Sequence, residues 1–386
     1  MTAPAQARPV LRELVVCSLE SWDEVWRRNQ LLVSQLLEIE QYLRVLFVAP
    51  AVDATYEVVA HHRLRHGRGL TLPPGAASHG RLSTYGPTKW VPRTAGTVAD
   101  RLLVCSVERA ARAVGFQRPL LWMNNLALAS LAKRTGWPTL YDVTDDWLLA
   151  SCTERERLRR IRDEATLMAR AREVVVCSPA LATSKGRYRP VTLVTNAVDV
   201  DWVRAPTARP PDMLPGPVAC YVGTLHEDRL DVGLCVDLAA RLEGTGTLLF
   251  VGPDDLGAES RRRLASRTNV VLLGARPHRT IAGYLQHADV LVVPHRRTPF
   301  TESLDPIKAY EYRAVGRPIV ATPVAGFRGL GAPVQVAAGS EFLDATLKAL
   351  TGGPRPPELL PCPSDLPTWE SQARQMRDVL ARLATR

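Results

Sequence analysis

The sequence lacks several features that mark common functional classes. Its 386 residues contain no continuous apolar run of about 18 or more, so no membrane-spanning helix is expected. The seven cysteines are scattered and form no C-x-x-C pair, which argues against a thiolate metal site and favours reduced thiols. No G-x-G-x-x-G turn follows an early strand, so a nicotinamide-dependent oxidoreductase is not indicated.

Lysine is also scarce, with 5 lysines against 44 arginines, and the net charge is +10. A basic chain is typical of proteins that bind anionic substrates or acidic membrane faces, but solvated arginines on helix surfaces give the same composition. No dense Lys/Arg run is interleaved with aromatic residues, so nucleic acid binding is not indicated.

The N-terminal segment and the first long helical pattern bear on location. The first ten residues lack a basic region followed by an apolar stretch, so no signal peptide is expected and a cytoplasmic protein is predicted. The helical pattern over 26–43 is mixed rather than strongly amphipathic, so membrane association stays open but is not favoured.

Short apolar runs alternate with helical patterns along the chain, which predicts an α/β protein with parallel sheets. The runs are 13–19, 44–50, 119–124, 138–144, 173–178 and 191–196, then 218–224, 246–253, 269–274, 289–295 and 317–323. The proline-rich stretch 208–217 separates the two sets and is predicted to lie near an interdomain linker. We expect two Rossmann-like domains, 1–200 and 201–366, that face each other across a cleft, where ligands bind beyond the carboxyl ends of the strands.

The segment FTESLDPIKAYEYRAVGRPIVATP (300–323) concentrates charged residues at a helix start. Asp305, followed by proline, fits an N-cap position. Lys308 and Glu311 then lie on one helix face, three residues apart. A helix N-terminus that carries Lys308, with His295 adding positive charge from the preceding strand end, suits a diphosphate, and Glu311 suits a ribose diol. A solvent-exposed ion pair between Lys308 and Glu311 is the competing interpretation.

This segment resembles the signature of GT-B glycosyltransferases of the family-four type, the glycosyl transferases group 1 set. It is most similar to a bacterial branch with a DP-x-K-x-x-EY-x-A-x-G-x-P motif. Four further segments resemble other elements of that branch and occur in the expected order. They are SWDEVWRRNQLLVSQL, LYDVTDDW, VTNAVDVDWV (with Ala197 where glycine is usual) and YVGTLHEDRLDVGLCVDLA. DLPTWESQARQMRDVL resembles the final helix, so residues 367–386 are expected to cross back to the first domain.

The resemblance implies that the second domain binds a nucleoside-diphosphate sugar. The backbone at Gly223 and Thr224 would approach the diphosphate closely, and Arg229 and Lys308 would contact the phosphates. The residues implied for donor binding are Gly223, Thr224, Arg276, His295, Glu302, Ser303, Leu304, Asp305 and Glu311.

One departure from the family pattern concerns the donor sugar. The first glutamate of the family's E-x7-E pattern is expected at position 303, where this chain has serine. Either Glu302 takes that role with a shifted backbone, or Ser303 and Asp305 hold the sugar, and we expect the second.

The first domain is expected to hold the acceptor. Asp142, Asp145 and Asp146 follow a strand and are predicted to contact acceptor hydroxyls or support a cationic transition state, although one of the last two would also serve as a helix N-cap. The residues assigned to catalysis are Asp145, Asp146, Lys308 and Arg229, and those assigned to the acceptor are Trp22, Arg28 and Asp142.

By resemblance, the chain is a retaining glycosyltransferase that needs neither a metal nor another cofactor. It would move a hexosyl or deoxysugar group from a nucleotide-sugar donor to a hydroxyl of a small molecule or glycan. The acceptors considered are an antibiotic or secondary-metabolite aminocyclitol, its phosphate, and a cell-envelope glycan. A non-catalytic protein that binds sugar nucleotides and a sugar-nucleotide 2-epimerase are the alternatives.

Overall fold

The computed structural model describes residues 10–61, 64–73, 80–91, 96–352, 356 and 358–385, which form two compact units. The first unit takes its residues from Met1–Leu148, Cys152–Thr195 and Glu370–Arg386, and the second from Leu149–Ser151 and Asn196–Trp369. The proline-rich stretch 208–217 therefore lies inside the second unit. Residues 1–9, on which the expectation of no signal peptide was based, lie outside the described residues.

The first unit is built on an eight-stranded sheet that is parallel except at one edge. Its strands are β1 (Glu13–Cys17), β2 (Arg44–Val48), β3 (Val52–Asp53), β4 (Gly69–Thr71), β5 (Leu82–Gly86), β6 (Thr88–Lys89), β7 (Leu120–Met123), β8 (Thr139–Val143), β9 (Glu173–Val176) and β10 (Thr192–Leu193). The sheet order is β10-β9-β8-β7-β1-β2-β5-β4, and β3 pairs separately with β6. Every residue of β7 and β8 is buried, as expected for parallel strands covered on both faces.

Helices connect these strands and cover the sheet. They are α1 (Arg28–Ile39), α2 (Ala54–His61), α3 (Thr97–Ala113), α4 (Ala129–Thr135), α5 (Glu154–Arg170) and α6 (Pro179–Gly186). In α5 the hydroxyl of Thr153 accepts the amide of Glu156, and two glutamates occupy the first turn, so this helix begins with a side-chain cap and favourable charges.

The second unit repeats the design with a six-stranded parallel sheet in the order β15-β13-β11-β16-β17-β18. Its strands are β11 (Val218–Val222), β12 (Leu225–His226), β13 (Thr247–Val251), β14 (Asp254–Asp255), β15 (Val270–Leu272), β16 (Val290–Val293), β17 (Ile319–Ala321) and β18 (Val334–Val336). Its helices are α7 (Val200–Arg204), α8 (Val232–Arg241), α9 (Ala258–Ala265), α10 (His278–His287), α11 (Ile307–Val315) and α12 (Gly339–Gly352). The central strands β11 and β16 are fully buried. The predicted α/β fold class is confirmed.

The last helix, α13 (Trp369–Thr385), belongs almost entirely to the first unit. Arg377 bonds Glu40 at 2.7 Å, and Arg382 bonds Glu173 at 3.0 Å. The C-terminal segment therefore returns to the first unit, as the sequence predicts. Among the described residues, no helix is long and apolar enough to cross a membrane.

Two glycines let the ends of β11 and β13 approach each other. Gly223 has φ +139° and Gly252 has φ +151°, backbone angles that residues with a side chain rarely adopt. The amide of Gly223 donates to the carbonyl of Val251 at 2.8 Å, and a Cβ on Gly252 would lie 2.2 Å from the carbonyl oxygen of Gly223. Neither backbone can move away without losing the strand pairing.

The start of α11 differs from the prediction. The N-cap position is Pro306, which has no side-chain oxygen to offer, so the assignment of Asp305 as the N-cap is wrong. The carboxylate of Asp305 instead accepts the Asn196 amide at 2.5 Å and the Tyr310 hydroxyl at 2.7 Å. The side-chain amide of Asn196 also donates to the Asp305 carbonyl. Asp305 thus anchors the start of α11 to the segment after β10.

We expect Gly252→Ala to destabilise the protein by about 3 kcal/mol or more, because the new methyl group meets backbone atoms in a strained conformation. Gly244→Ala is the matched control, since Gly244 has φ +74° but open space where its Cβ would lie. The control is expected to cost about 1–2 kcal/mol. Chemical denaturation of both variants measures the difference, and equal losses would contradict the close approach.

Candidate functional site: a cationic cluster in the second unit

Four side chains from separate segments of the second unit meet near the carboxyl end of β11. They are Tyr221 on β11, Arg229 after β12, His295 after β16 and Lys308 on α11. The Lys308 ammonium donates to the Tyr221 hydroxyl at 2.6 Å, and that hydroxyl lies 3.0 Å from Nε2 of His295. The positive charge of Arg229 acts on both Lys308 and His295. Strand-end loops of one parallel sheet therefore converge, as in other open α/β folds.

Gly223 leaves room for the Lys308 side chain. A Cβ at Gly223 would lie 2.9 Å from Nζ and 3.2 Å from Cε of Lys308. The ammonium sits against bare backbone, where a ligand phosphate could meet both the charge and nearby peptide groups.

Lys308 and Glu311 lie on one face of α11 and have opposite pKa shifts. Burial and, to a smaller extent, the charge of Arg229 lower the pKa of Lys308 to about 7, while Glu311 opposes the shift. Burial raises the pKa of Glu311 to about 7, and Lys308 opposes that shift. A perturbed cation beside a perturbed carboxyl is typical of a functional site, and the burial argues against a solvent-exposed ion pair.

The predicted positive charge on His295 is wrong. His295 is buried, and burial lowers its pKa well below the usual value, with Lys308, Arg229 and His226 adding to the effect. Its imidazole is therefore neutral at pH 7, and the cations of the cluster are Lys308 and Arg229. His226 is neutral as well, since burial and then Arg229 lower its pKa to about 4.

Arg229 is fixed on two sides. Its guanidinium lies over the ring of Phe300, 5.0 Å from the centroid, and its carbonyl accepts the amide of Arg296 at 2.7 Å. Stacking on an aromatic face holds a guanidinium without removing its charge.

Two other predicted donor residues are bound to neighbouring side chains. The Glu302 carboxylate pairs with Arg328 at 2.9 Å and with Arg297 at 3.5 Å, and the Arg328 hydrogen bond lowers its pKa. Arg276 pairs with Asp212 at 2.7 Å.

Three more predicted donor residues are Ser303, Leu304 and Thr224. Ser303 and Leu304 are buried, and the Ser303 hydroxyl donates to the Phe300 carbonyl at 2.7 Å. The Thr224 carbonyl accepts the Tyr221 hydroxyl at 3.2 Å. The structure thus brings Gly223, Thr224, Arg229, His295 and Lys308 together, while the sugar-binding role of Ser303 and Asp305 stays a prediction.

In the first unit, Arg28 and Asp142 form an internal pair. Both are buried, with N–O distances of 3.4 Å, and Asp142 also accepts the indole N–H of Trp122 at 3.1 Å. Arg28 donates to the Val194 carbonyl at 2.8 Å and the Thr195 carbonyl at 3.0 Å. The pair joins α1, β8 and the segment after β10, which is a structural role that differs from the predicted acceptor contact.

Asp146 also takes part in a buried ion-pair group. The Lys185 ammonium lies 3.0 Å from Asp146 and 2.6 Å from Glu164, and all three residues are buried. The expectation that Asp145 or Asp146 caps the following helix is wrong, because Thr153 caps α5. The carboxylate of Asp145 accepts the Thr144 hydroxyl at 3.4 Å.

Trp22 packs within the first unit, and a neighbouring carboxylate escaped prediction. The Trp22 ring meets Phe47 edge-on at 5.0 Å. Glu20 bonds the Ser18 hydroxyl at 3.2 Å, and burial raises its pKa, with Asp145 adding to the shift. Its position directly after the first predicted strand was the available signal.

A cavity of about 300 Å³ lies in the first unit, close to these loops. Leu19 follows β1, Pro50 follows β2 and Leu126 follows β7, so the cavity lies at the carboxyl edge of the sheet. Its other lining residues are Ala51, Asp53, Lys89, Asp100, Leu103, Asn125, Ala127, Trp147, Glu156, Arg159, Arg160 and Asp163. In the parts of the chain that the structure describes, no group of three or more His, Cys, Asp or Glu side chains could hold a metal ion.

The fold is GT-B, and residues 216–351 match the model of the family described as Glycosyl transferases group 1. The cationic cluster lies within these matched residues, and the family predicted from the sequence is confirmed for this part of the chain. TuaH of Bacillus subtilis (strain 168), named for teichuronic acid biosynthesis, is 24% identical over 224 residues. That match covers 53% of this chain and 56% of TuaH, little more than half of either protein.

Solved structures resemble the chain over nearly its whole length. Anabaena HepE in complex with UDP and glucose has a TM-score of 0.60 at 14% identity, covering 97% of this chain and 98% of that one. A UDP-forming trehalose-phosphate synthase from Burkholderia vietnamiensis has a TM-score of 0.60 at 13% identity, covering 97% and 95%. At these identities the similarity establishes the fold.

We expect Lys185→Met to destabilise the protein by about 3–5 kcal/mol, because it leaves two buried carboxylates without a cation. The loss should be smaller at pH 5 than at pH 8, because burial raises the pKa of Glu164 and the loss of Lys185 raises it further, so that protonation removes this buried charge at the lower pH. Lys133→Met, at an exposed helix position, is the control and should change stability by less than about 0.5 kcal/mol. Urea denaturation at both pH values measures this, and similar small losses in both variants would contradict a structural role for the Asp146 group.

Proposed function

We propose that the protein is a retaining glycosyltransferase that moves a sugar from a nucleoside-diphosphate sugar to a hydroxyl acceptor. The observation that carries the proposal is the Lys308 ammonium beside the bare backbone of Gly223, with a second cation, Arg229, near enough to lower the pKa of Lys308. Two cations beside strand-end peptide groups suit a diphosphate. The group 1 match over the same residues, and a structural neighbour that binds UDP and glucose, support this assignment.

In this proposal the cluster acts mainly on the leaving group. As the bond from the sugar to the diphosphate breaks, negative charge develops on the leaving phosphate oxygen. Lys308 and Arg229 are held in place beforehand, so they stabilise that charge without reorganisation. The leaving oxygen then accepts the proton of the acceptor hydroxyl on the same face of the sugar, which gives retention and requires no protein base. Anomeric analysis of the product by NMR tests the retention.

Glu311 is proposed to bind the ribose. It lies on the same face of α11 as Lys308, one turn further along. An ionised carboxylate accepts hydrogen bonds from both hydroxyls of a diol. Uracil is the base to test first, because HepE was solved with UDP and the trehalose-phosphate synthases form UDP.

The acceptor is proposed to be a polyhydroxylated ring that binds in the cavity of the first unit. The volume of about 300 Å³ suits a single ring, and apolar residues such as Leu19 and Trp147 line it together with carboxylates such as Asp53 and Glu156. Such a lining matches the apolar faces and hydroxyl edges of a sugar or aminocyclitol. A cell-envelope glycan is the other acceptor class, supported by the teichuronic acid assignment of TuaH. A screen of both acceptor classes decides between them.

The proposal predicts that Lys308→Met lowers the turnover of a sugar nucleotide about 10²–10³-fold, the usual effect of removing one preorganised donor. Lys348→Met, at an exposed position on α12 of the same unit, is the control and should retain the wild-type rate. The measurement is release of nucleoside diphosphate from UDP-, dTDP-, GDP- and ADP-sugars with and without acceptors. No release by the wild type from any donor, or a Lys308→Met rate equal to the control, would contradict the proposal.

Sugar-nucleotide binding should also be strongest near pH 7. Below its pKa of about 7, Lys308 is charged and binds phosphate, so binding above pH 7 requires proton uptake. Above its pKa of about 7, Glu311 is ionised and accepts the ribose hydroxyls, so binding below pH 7 releases a proton. On either side the affinity should fall by up to about tenfold per pH unit.

Calorimetry of UDP-glucose binding in buffers of different ionisation enthalpy measures these protons. A sugar nucleotide is preferable to free UDP, whose terminal phosphate titrates near pH 6. Lys308→Met should abolish the uptake alone and Glu311→Gln the release alone. Proton transfer that neither variant changes would contradict the assigned roles.

A further inference from the structure

Tyr221 is buried beside Lys308, although the sequence pattern drew attention only to the glycine that follows it by two positions. It lies on β11 and is 1% exposed. The core fixes its ring, which packs against Phe250 at a centroid distance of 5.8 Å. A ring held this firmly gives its hydroxyl a defined position.

The Tyr221 hydroxyl has three polar neighbours, which can satisfy all of its hydrogen-bonding capacity. It accepts from the Lys308 ammonium at 2.6 Å and can donate to the Thr224 carbonyl at 3.2 Å. Its second lone pair faces Nε2 of His295 at 3.0 Å. Because the ammonium form of Lys308 can only donate and the Thr224 carbonyl can only accept, all three bonds form when neutral His295 carries its proton on Nε2.

The ring of Tyr221 makes a second contact with the same ammonium. Nζ of Lys308 lies 3.8 Å from the ring centroid, within the range of a cation–π interaction. Tyr221 therefore holds Lys308 both through its hydroxyl and through its aromatic face. Lysine is a flexible side chain with a mobile charge, so these contacts confine the charge to the space beside Gly223.

We propose that Tyr221 is a positioning residue for diphosphate binding, holding the Lys308 ammonium where the donor phosphates bind. His295 is its partner and keeps the hydroxyl oriented. The inference rests on the proposed function for its purpose, but the positioning itself is a property of the protein's own side chains. Tyr221 acts through Lys308 and is not assigned a contact with the substrate.

The charged groups around Lys308 determine how its titration responds. Arg229, from the loop after β12, disfavours the ammonium form, and Glu311 on its own helix favours it. His295 and His226 are neutral at pH 7 because their pKa values are lowered. A hydrogen bond accepted from the ammonium favours its charged form, so removing the Tyr221 hydroxyl should lower the pKa of Lys308 further.

The test is the NMR titration of lysine side chains labelled with ¹³C at Cε, which is practical because the chain has only 5 lysines. Lys308→Arg assigns the Lys308 signal. Tyr221→Phe keeps the ring and removes the hydroxyl. Tyr312→Phe is the matched control, because its buried hydroxyl accepts the Val222 amide at 2.7 Å on the same strand. The same samples are then titrated with UDP-glucose.

The inference predicts that Tyr221→Phe lowers the Lys308 midpoint by about one pH unit and weakens UDP-glucose binding about tenfold. Tyr312→Phe should lower the thermal midpoint of unfolding but leave the Lys308 titration in place. An unchanged Lys308 midpoint in Tyr221→Phe would overturn the inference and leave Tyr221 a packing residue. If the midpoint moves but UDP-glucose perturbs Lys308 in no sample, the positioning stands, while its purpose in diphosphate binding and the proposed function both fail.

Discussion

The confinement of one ammonium group, that of Lys308, is the constraint on which the site depends. A partly buried lysine beside Arg229 is unfavourable as a cation, and its pKa is lowered accordingly. The fold offsets this with the Tyr221 hydroxyl and ring and with Glu311, and it omits a side chain at Gly223 where one would collide. A bound anion would complete the neutralisation.

The order of the strands makes this arrangement possible. β11 lies between β13 and β16, so the loops that follow these three strands emerge side by side. The first carries Gly223 and leads to Arg229, the second begins at Gly252, and the third carries His295 and leads to α11. The close contact between Gly223 and Gly252 and the hydrogen bond that the Asn196 amide donates to Asp305 then fix the loops and the helix start. The rigidity of the site is therefore a property of the whole sheet edge.

The parallel sheets and the shared face of Lys308 and Glu311 could be predicted from the sequence. Continuous apolar runs mark buried parallel strands, and helix periodicity places these two residues on one face. Short strands such as β5, with the sequence LSTYG, escaped prediction because they are only partly buried and lack an apolar run. The cap assignment of Asp305 failed because a distant partner, Asn196, captures its carboxylate.

Charge states and ion pairs between residues far apart in the sequence could not be predicted either, because they too depend on tertiary contacts. Whether His295 is charged depends on its burial among other cations, and whether Asp146 faces solvent depends on Lys185, which is distant in sequence. In the sequence, Tyr221 cannot be distinguished from the apolar residues of its buried strand, and only the structure shows its hydroxyl beside the Lys308 ammonium. Local sequence patterns predict helices and strands, whereas tertiary contacts decide which polar side chains can still bind a ligand or take part in a reaction.

The most direct test of the account is the affinity of the wild-type protein for the diphosphate and the monophosphate of one nucleoside, measured by calorimetry at pH 7. If the cluster around Lys308 holds a diphosphate, the diphosphate should bind at least about tenfold more tightly, a difference of about 1.4 kcal/mol. Lys308→Met should remove most of that difference. Equal affinities for the two nucleotides would show that the second phosphate meets no cation here, and the central claim would be wrong.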